Sequence, residues 1–127
     1  MIYGVGTDIV ALPRIESLLE RYGERFALRI LSESEMSEFA KHSFPARLLM
    51  KRFAAKEALA KALGTGLRHP VSMSQMTVTH DVQGKPAFAF MPELSEYFKK
   101  NGVTRHHLSI SDEREMAVAF VILEGEV

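Results

Sequence analysis

RFAAKEALAKALGTG, residues 52–66, is the stretch that decides the fold, because it predicts a helix buried on most of its surface. The helix is predicted over Ala46–Leu63, where Ala and Leu dominate, and it ends at Gly64, a residue type preferred just after helix C-termini. At about 100° per residue its apolar side chains occupy most of the circumference. We therefore expect this helix to form the core of a single domain, residues 1–127.

Helices are predicted mainly in the first half of the chain and strands mainly in the second. The helices run from Pro13 to Arg21 or further, from Ser32 to a point before Pro45, and over Glu93–Lys100; the strands are Ile2–Val10, Met76–Val82, Pro86–Met91, His107–Ser111 and Met116–Leu123. Gly23 is a candidate break in the first helix. This order predicts an α+β fold, with an antiparallel sheet packed against the long buried helix.

The composition narrows the class of protein. Sixteen basic residues balance sixteen acidic ones, so no global field attracts the chain to nucleic acid or to an anionic membrane. Cysteine is absent, which excludes disulfides and thiolate metal sites. The longest apolar run, Met116–Leu123, is far shorter than the about 20 residues that a spanning helix needs. The N-terminal run is short and contains Asp8, which argues against a signal peptide. We expect a soluble, cytoplasmic protein.

Asp8 is a lone carboxylate in the apolar run IYGVGTDIV, residues 2–10, which predicts a buried strand. A buried carboxylate without a partner is costly, so a positive group is expected to meet Asp8 in the fold. The alternative is an aspartate at a strand end that caps the next helix or binds nearby backbone. Gly4 and Gly6 in the same strand would allow another backbone or a ligand to approach closely.

Glu57 interrupts the apolar surface of the long helix, and Lys61 follows one turn later. An ordinary helix pair, worth about 0.2–0.5 kcal/mol, is one interpretation. The coincidence with Asp8 favours a magnesium–phosphate site, because magnesium is often held by one or two carboxylates while phosphates complete its shell. Asp8 and Glu57 would be the metal ligands, and Lys61 would neutralise charge on a transferred phosphoryl group. Gly64 and Thr65 could contact phosphate, although a helix C-cap explains Gly64 equally well.

The first helix carries two separate stripes of side chains. The apolar stripe, which is the expected core face, consists of Ile15, Leu19, Tyr22 and Phe26. The second stripe is basic, with one apolar member, and consists of Arg14, Leu18, Arg21 and Arg25. It is consistent with a solvated face, or with a dock for an acidic partner helix in which Leu18 supplies an apolar contact.

The five histidines do not show the spacing of a metal site. His42, His69 and His80 are scattered and are expected on the surface or in loops. His106 and His107 are adjacent in a predicted strand, so their side chains should point to opposite faces of the sheet.

Three segments in the same order resemble one known family. They are GTDIVALPRI (residues 6–15), KRFAAKEALAKALGTG (residues 51–66) and HHLSISDEREMAVAFVI (residues 106–122). The chain is similar along nearly its whole length to the holo-[acyl-carrier-protein] synthases, which are small phosphopantetheinyl transferases. The resemblance implies transfer of 4′-phosphopantetheine from coenzyme A to a serine of apo acyl carrier protein, which releases adenosine 3′,5′-bisphosphate and serves fatty acid biosynthesis.

The same resemblance implies roles for individual residues. Asp8 and Glu57 would hold magnesium with the coenzyme A pyrophosphate, and Lys61 would assist at the transferred phosphate. His107 and Ser109 match positions near bound coenzyme A, and the stripe that begins at Arg14 matches the dock for the carrier protein. A homotrimer with sites between subunits is implied. One departure is that many relatives carry histidine where Asp112 stands.

The sequence leaves open which group accepts a proton, and it also leaves two alternative functions. A metal-bound water or Glu57 could take the proton of the acceptor serine. A magnesium-dependent phosphohydrolase acting on a small nucleotide would use the same carboxylates. A binding module without catalysis would use only the basic stripe, and it would leave Asp8 and Glu57 without a purpose.

Overall fold

A computed structural model describes residues 1–126 of the chain and confirms the α+β fold. The helices of the described part are α1 (Leu12–Tyr22), α2 (Glu24–Ile30), α3 (Glu33–Lys41), α4 (Pro45–Leu63) and α5 (Pro92–Lys100). The strands are β1 (Ile2–Ala11), β2 (Met76–His80), β3 (Pro86–Phe90), β4 (Val103–Asp112) and β5 (Met116–Gly125). Residues 73–75 add one turn of 3-10 helix. No helix within residues 1–126 is both long and apolar enough to cross a bilayer.

The strands form two antiparallel sheets. The larger one has the order β1-β5-β4, and α4 packs on one of its faces, against β1 and β5. Its register places Asp8 opposite Ala119, and Ala119 opposite Ile110. The smaller sheet is the β2–β3 hairpin, whose turn contains Gly84 with a φ of +88°. The predicted hairpin and the long helix against an antiparallel sheet are both confirmed.

The glycines of β1 allow the strand to lie directly on the backbone of α4. A Cβ atom at Gly4 would come within 1.9 Å of the Ala62 carbonyl oxygen, and one at Gly6 within 1.9 Å of the Ala58 carbonyl oxygen. A side chain at either position would therefore push the sheet off the helix. Of the two predicted uses for these glycines, approach by another backbone is the one observed.

The prediction of a buried β1 is wrong for one of its faces. Gly6 and Val10 are covered by α4, whereas the alternate residues Val5 and Ile9 remain 50% and 60% exposed. An apolar run predicts a strand that is covered on both faces. Within residues 1–126 only the face toward α4 is covered, because no helix of that part of the chain packs on the other face of the sheet.

The first predicted helix is divided at Gly23, which has a φ of +61°. The predicted apolar stripe assumes one continuous helix, so the prediction of this core face is only partly correct. Ile15 is fully buried and Leu19 is partly buried, but Tyr22 is 47% exposed and Phe26 belongs to α2. The change of direction at Gly23 ends the helical periodicity on which the stripe depends.

Candidate active site

Asp8 lies near the end of β1 on the face that is packed against α4. Its Oδ1 is 3.1 Å from the Nζ of Lys61, which also donates to the Thr7 carbonyl oxygen at 3.1 Å. The predicted positive partner of Asp8 is therefore Lys61. The alternative of a cap is excluded, because the N-cap of α1 is Ala11 and has no side-chain cap bond.

The second carboxylate oxygen of Asp8 is the notable atom of the site. Oδ2 is buried and has no hydrogen-bond partner among residues 1–126. Buried carboxylate oxygens are normally satisfied, because desolvation without compensation is costly. This oxygen is therefore positioned to accept a ligand such as a cation.

Glu57 is close enough to Asp8 for the charge of Asp8 to act on it, although the two are 49 residues apart in the sequence. Burial raises the pKa of Glu57, and the Asp8 carboxylate raises it further, while Lys61 and Arg14 act in the opposite direction. The Asp8 carboxylate thus disfavours the charged form of Glu57, and a divalent cation between the two would relieve that repulsion. Lys61 pairs with Asp8 across the helix–strand contact, so the ordinary Glu57–Lys61 pair is not what the structure shows.

The convergence of these residues follows from how β1 crosses α4. Gly4 meets Ala62 and Gly6 meets Ala58, so two residues along the strand correspond to four residues back along the helix. These steps match, since two strand residues span about 6.6 Å and one helical turn about 5.4 Å. The next step places Asp8 one turn before Ala58, within reach of Glu57. Lys61 reaches the same point because helical side chains tilt toward the N-terminus.

Magnesium fits this donor set. Within residues 1–126 no group of three or more His, Cys, Asp or Glu side chains could hold a metal. A site with two carboxylates suits a metal that keeps water and substrate phosphate as its remaining ligands, which is the usual behaviour of magnesium. The buried Oδ2 of Asp8, which has no hydrogen-bond partner among residues 1–126, also favours a bound cation at this site.

The loop after α4 is only partly available for phosphate. The amide of Gly64 donates to the carbonyl oxygens of Ala60 and Lys61, with a φ of +78°, so this residue is a helix C-cap. The hydroxyl of Thr65 donates to the Gly66 carbonyl oxygen at 2.9 Å. A contact of Gly64 or Thr65 with coenzyme A stays a prediction.

The basic stripe is brought together by two helices rather than one. Arg14 lies over the Phe53 ring at 5.5 Å, and it is close enough to Glu57 to lower that residue's pKa. Arg21 lies over Tyr22 at 5.2 Å and is exposed. Leu18 from α1 and Arg25 from α2 line the same groove, which has a volume of about 860 Å³. The groove therefore brings Leu18 and Arg25 together across the break at Gly23, while Arg14 is the member of the stripe that lies near Glu57.

His107 and Ser109 lie on the other side of the larger sheet. They pair with Ile122 and Phe120 of β5, on the face that α4 does not cover. Asp8 belongs to the opposite face, so one chain does not bring the predicted coenzyme A residues to the predicted metal ligands. His107 contacts the Glu124 carboxylate at 2.5 Å, which holds the pKa of Glu124 below its usual value. As predicted, His106 points the other way and accepts a hydrogen bond from the Phe88 amide at 3.0 Å.

Asp112, the departure from the family pattern, has a structural partner. Its Oδ2 is 3.4 Å from the guanidinium of Arg47 on α4. Arg47 also donates to the carbonyl oxygens of Glu113 and Arg114, at 2.7 and 2.9 Å. The pair fixes the β4–β5 turn to the start of α4.

Sequence reasoning missed a buried cluster of charges one residue from Glu57. Lys56 is fully buried and pairs with Glu35 at 2.5 Å, and Glu35 also meets Arg52 at 3.3 Å. Burial lowers the pKa of Lys56 to about 8, against the opposing effect of Glu35. Glu35 had a sufficient local explanation as the last residue of the confirmed capping box that begins at Ser32. The overlooked signal is a lysine within the apolar surface of the long helix.

The chain is similar to known proteins over nearly its whole length. The model of the 4′-phosphopantetheinyl transferase superfamily matches residues 4–121. The chain is 64% identical over 124 residues to a holo-[acyl-carrier-protein] synthase of Nitrosospira multiformis, covering 98% of this chain and 99% of the relative. The crystal structure of the synthase from Neisseria meningitidis is similar with a TM-score of 0.95 and 49% identity, covering 98% of this chain and 99% of that one.

A second structure, a synthase from Bacillus anthracis in complex with CoA (3′,5′-ADP), is 40% identical with a TM-score of 0.81 and covers 99% of each chain. High identity, full coverage and a common fold all point to one family, the one that the three sequence segments predict. The chain therefore belongs to the 4′-phosphopantetheinyl transferase superfamily.

Proposed function

We propose that this protein transfers 4′-phosphopantetheine from coenzyme A to a serine of apo acyl carrier protein, yielding holo acyl carrier protein and adenosine 3′,5′-bisphosphate. We further propose that it depends on magnesium, acts as a homotrimer in the cytoplasm and serves fatty acid biosynthesis. The observation that carries the proposal is the orphan, buried Oδ2 of Asp8, next to Lys61 and to a second carboxylate of raised pKa.

Asp8 and Glu57 would hold the magnesium ion. When bound, this ion would neutralise the diphosphate of coenzyme A and stabilise charge on its oxygens during transfer. The remaining chemistry belongs to the chain's own residues. Lys61 is about half exposed on a flexible stem, so its ammonium could move from Asp8 toward a phosphate oxygen.

The transfer itself is a displacement at phosphorus. The serine oxygen forms a bond to the phosphorus that carries pantetheine, and the bond from that phosphorus to the oxygen shared with the nucleotide phosphate breaks. The serine proton leaves in the same process. Glu57, or a water molecule held at the site, would accept that proton.

The carrier protein would dock on the basic surface of α1 and α2. Arg14, Arg21 and Arg25 are exposed, and Leu18 lies among them beside the groove. An acidic helix would find complementary charge there and one apolar contact. Because Arg14 also lies near Glu57, a carrier bound here would reach the site of transfer.

The association of copies that a homotrimer requires is supported by the uncovered face of the larger sheet. Val5, Ile9, Val118 and Phe120 form a contiguous apolar surface there, each at least 37% exposed in the single chain. Surfaces of this kind usually mark interfaces. His107 and Ser109 share the face, so in an assembly that packs on it these residues would lie at the interface with a neighbouring copy.

Mass spectrometry of apo acyl carrier protein, after incubation with this protein, coenzyme A and magnesium, tests the proposal. We expect gain of a phosphopantetheine arm on one serine, and loss of that gain on chelation of magnesium. Asp8→Ala and Glu57→Ala should abolish transfer while the protein stays folded, and Glu96→Ala, which removes an exposed carboxylate of α5, should not. Near-normal turnover by either site variant would contradict the assignment.

The same assay separates transfer from hydrolysis. Coenzyme A alone, without carrier protein, should survive incubation with the protein and magnesium. Its rapid breakdown would instead identify a phosphohydrolase that uses the same two carboxylates.

A further inference from the structure

Lys56 has no free hydrogen-bonding capacity with which to bind a substrate. Its ammonium group donates to Glu35 Oε1 at 2.5 Å, to the Ile30 carbonyl oxygen at 2.7 Å and to the Met73 carbonyl oxygen at 3.0 Å. A lysine has three N–H donors, and all three are used here. The side chain is fully buried, so this neighbour of Glu57 has some role other than contact with a ligand.

Glu35 is equally saturated at the other end of the pair. Its Oε1 accepts from the Ser32 amide at 3.0 Å, and its Oε2 accepts from the Val78 amide at 2.9 Å. Arg52 adds a second cation at 3.3 Å and is itself paired with Glu38 on the surface. The cluster of Lys56, Glu35 and Arg52 thus connects α2, α3, α4, the 3-10 turn and β2 at one buried point.

The two carbonyl groups that Lys56 binds belong to residues that line the groove beside the basic surface. Ile30, at the end of α2, lines the groove together with Arg25 and Leu18. Met73, in the 3-10 turn, lines it as well. Lys56 itself projects from α4, which contributes Phe53 to the lining. A single ammonium group therefore ties two segments of the lining, the end of α2 and the 3-10 turn, to the helix that carries Glu57.

We infer that Lys56 is a positioning residue, which holds the end of α2 and the 3-10 turn in place in the lining of this groove and so sets the fit of the acidic carrier protein that docks there. The inference rests on the proposed function, because the groove shares Leu18 and Arg25 with the proposed dock. A buried ion pair is weak evidence for stability, and apolar replacements of similar volume are often tolerated. Its three charge-assisted bonds do impose one geometry on the groups they join. Loss of the cluster should therefore change docking more than folding.

The test compares steady-state kinetics of the wild type with those of the double variant Lys56→Met/Glu35→Gln. The double change is needed because Lys56→Met alone would leave Glu35 charged and buried without its partner. We expect KM for the carrier protein to rise by about tenfold, the effect of 1.4 kcal/mol, with kcat and the KM for coenzyme A within about twofold. Glu38→Gln, which changes the exposed partner of Arg52 and leaves the contacts of Lys56 with Ile30 and Met73 in place, is the matched control and should leave all three constants unchanged.

Hydrogen exchange supplies a readout that is independent of turnover. In the double variant the amides around Ile30 and Met73 should exchange faster, while those of the β1–β5 ladder stay as protected as in the wild type. A folded double variant with wild-type KM for the carrier and unchanged exchange would overturn the inference. Failure of the double variant to fold would also overturn it, because the cluster would then serve stability. If the wild type transfers nothing, the proposed function fails. The hydrogen-exchange comparison still tests whether Lys56 holds the end of α2 and the 3-10 turn in place.

Discussion

Gly6 is the residue at which the contact between sheet and helix is tightest. A Cβ atom there would lie 1.9 Å from the Ala58 carbonyl oxygen and 2.6 Å from the Ala62 amide nitrogen. Both are backbone atoms of a buried helix, so they cannot move aside as a side chain would. We expect Gly6→Ala to destabilise the protein by about 3 kcal/mol or more, at the upper end of overpacking effects. Chemical denaturation of the variant measures this loss.

Gly84→Ala is the matched control for that experiment. Nothing lies within 4 Å of a Cβ atom at Gly84, and only its φ of +88° disfavours alanine. We expect this variant to lose about 1–2 kcal/mol, the penalty of a left-handed conformation. Equal losses for the two variants would mean that steric contact with α4 is not what limits position 6.

Single residues could be predicted from the sequence where a charge interrupts an apolar pattern. Asp8 and Glu57 stand out for this reason, and the expected partner of Asp8 is present as Lys61. Lys56 also interrupts the apolar surface of α4, and its partner is Glu35. Because Glu35 has a local role in the capping box, the sequence gives no sign that it pairs with a distant lysine. Which carboxylate meets which lysine depends on how α3 packs on α4, and local sequence carries no record of that contact.

At the scale of elements, α1 and α2 present the basic surface that the carrier protein is proposed to use. Reversing two of its charges, in Arg21→Glu/Arg25→Glu, should raise KM for the carrier by about tenfold or more, since opposite charges steer and align the encounter. The salt dependence of KM should weaken at the same time, because screening has less attraction to remove. Steady-state kinetics at two ionic strengths measure both effects.

Lys100→Glu provides the control for general charge effects. This lysine is exposed at the end of α5, and that helix packs on β4 rather than on α1. It should leave KM for the carrier and its salt dependence unchanged. A comparable rise in KM for Lys100→Glu would indicate that net charge, and not the surface of α1 and α2, governs docking.

The two sheets are joined by His106 of β4, which accepts a hydrogen bond from the Phe88 amide of β3. Burial, and secondarily the charge of His107, holds the pKa of His106 below 6.5. The unfolded chain therefore takes up this proton first as pH falls, so the contribution of His106 to stability is present above pH 6.5 and is lost as the pH falls below it. A protonated ring also loses the acceptor that Phe88 requires.

His106→Gln tests that linkage, since a glutamine oxygen can replace the ring nitrogen as acceptor without titrating in this range. We expect the free energies of unfolding of variant and wild type to run parallel above about pH 6.5, the ordinary histidine pKa. Below it the wild type should lose stability faster. Urea denaturation at several pH values between 5 and 8 gives both curves, and curves that stay parallel at acid pH would refute the role assigned to His106.

The type of each helix, strand and turn could be predicted from the sequence more reliably than the elements that each one packs against. The hairpin of β2 and β3, the break at Gly23 and the opposed directions of His106 and His107 follow from local spacing and turn chemistry. The pairing of β1 with β5 joins the two ends of the chain, and spacing along the sequence does not reveal it. The apolar run of β1 predicts cover on both faces, and α4 supplies it on one. The apolar face of β1 that α4 does not cover is therefore the reason to expect a larger assembly.

For the whole molecule, that assembly can be tested at Phe120. Its side chain is 42% exposed at the centre of the uncovered sheet face, opposite Thr7 on one side and Ser109 on the other. Phe120→Lys would place a charge in the proposed interface, where desolvation opposes association. We expect a trimer for the wild type and single chains for the variant in light scattering, with transfer activity lost together with the trimer. Val82→Lys, at a fully exposed hairpin position, should remain trimeric and active. Because His107 and Ser109 lie on the interface face and Asp8 on the other, a monomeric variant with full activity would show that each chain completes its site alone.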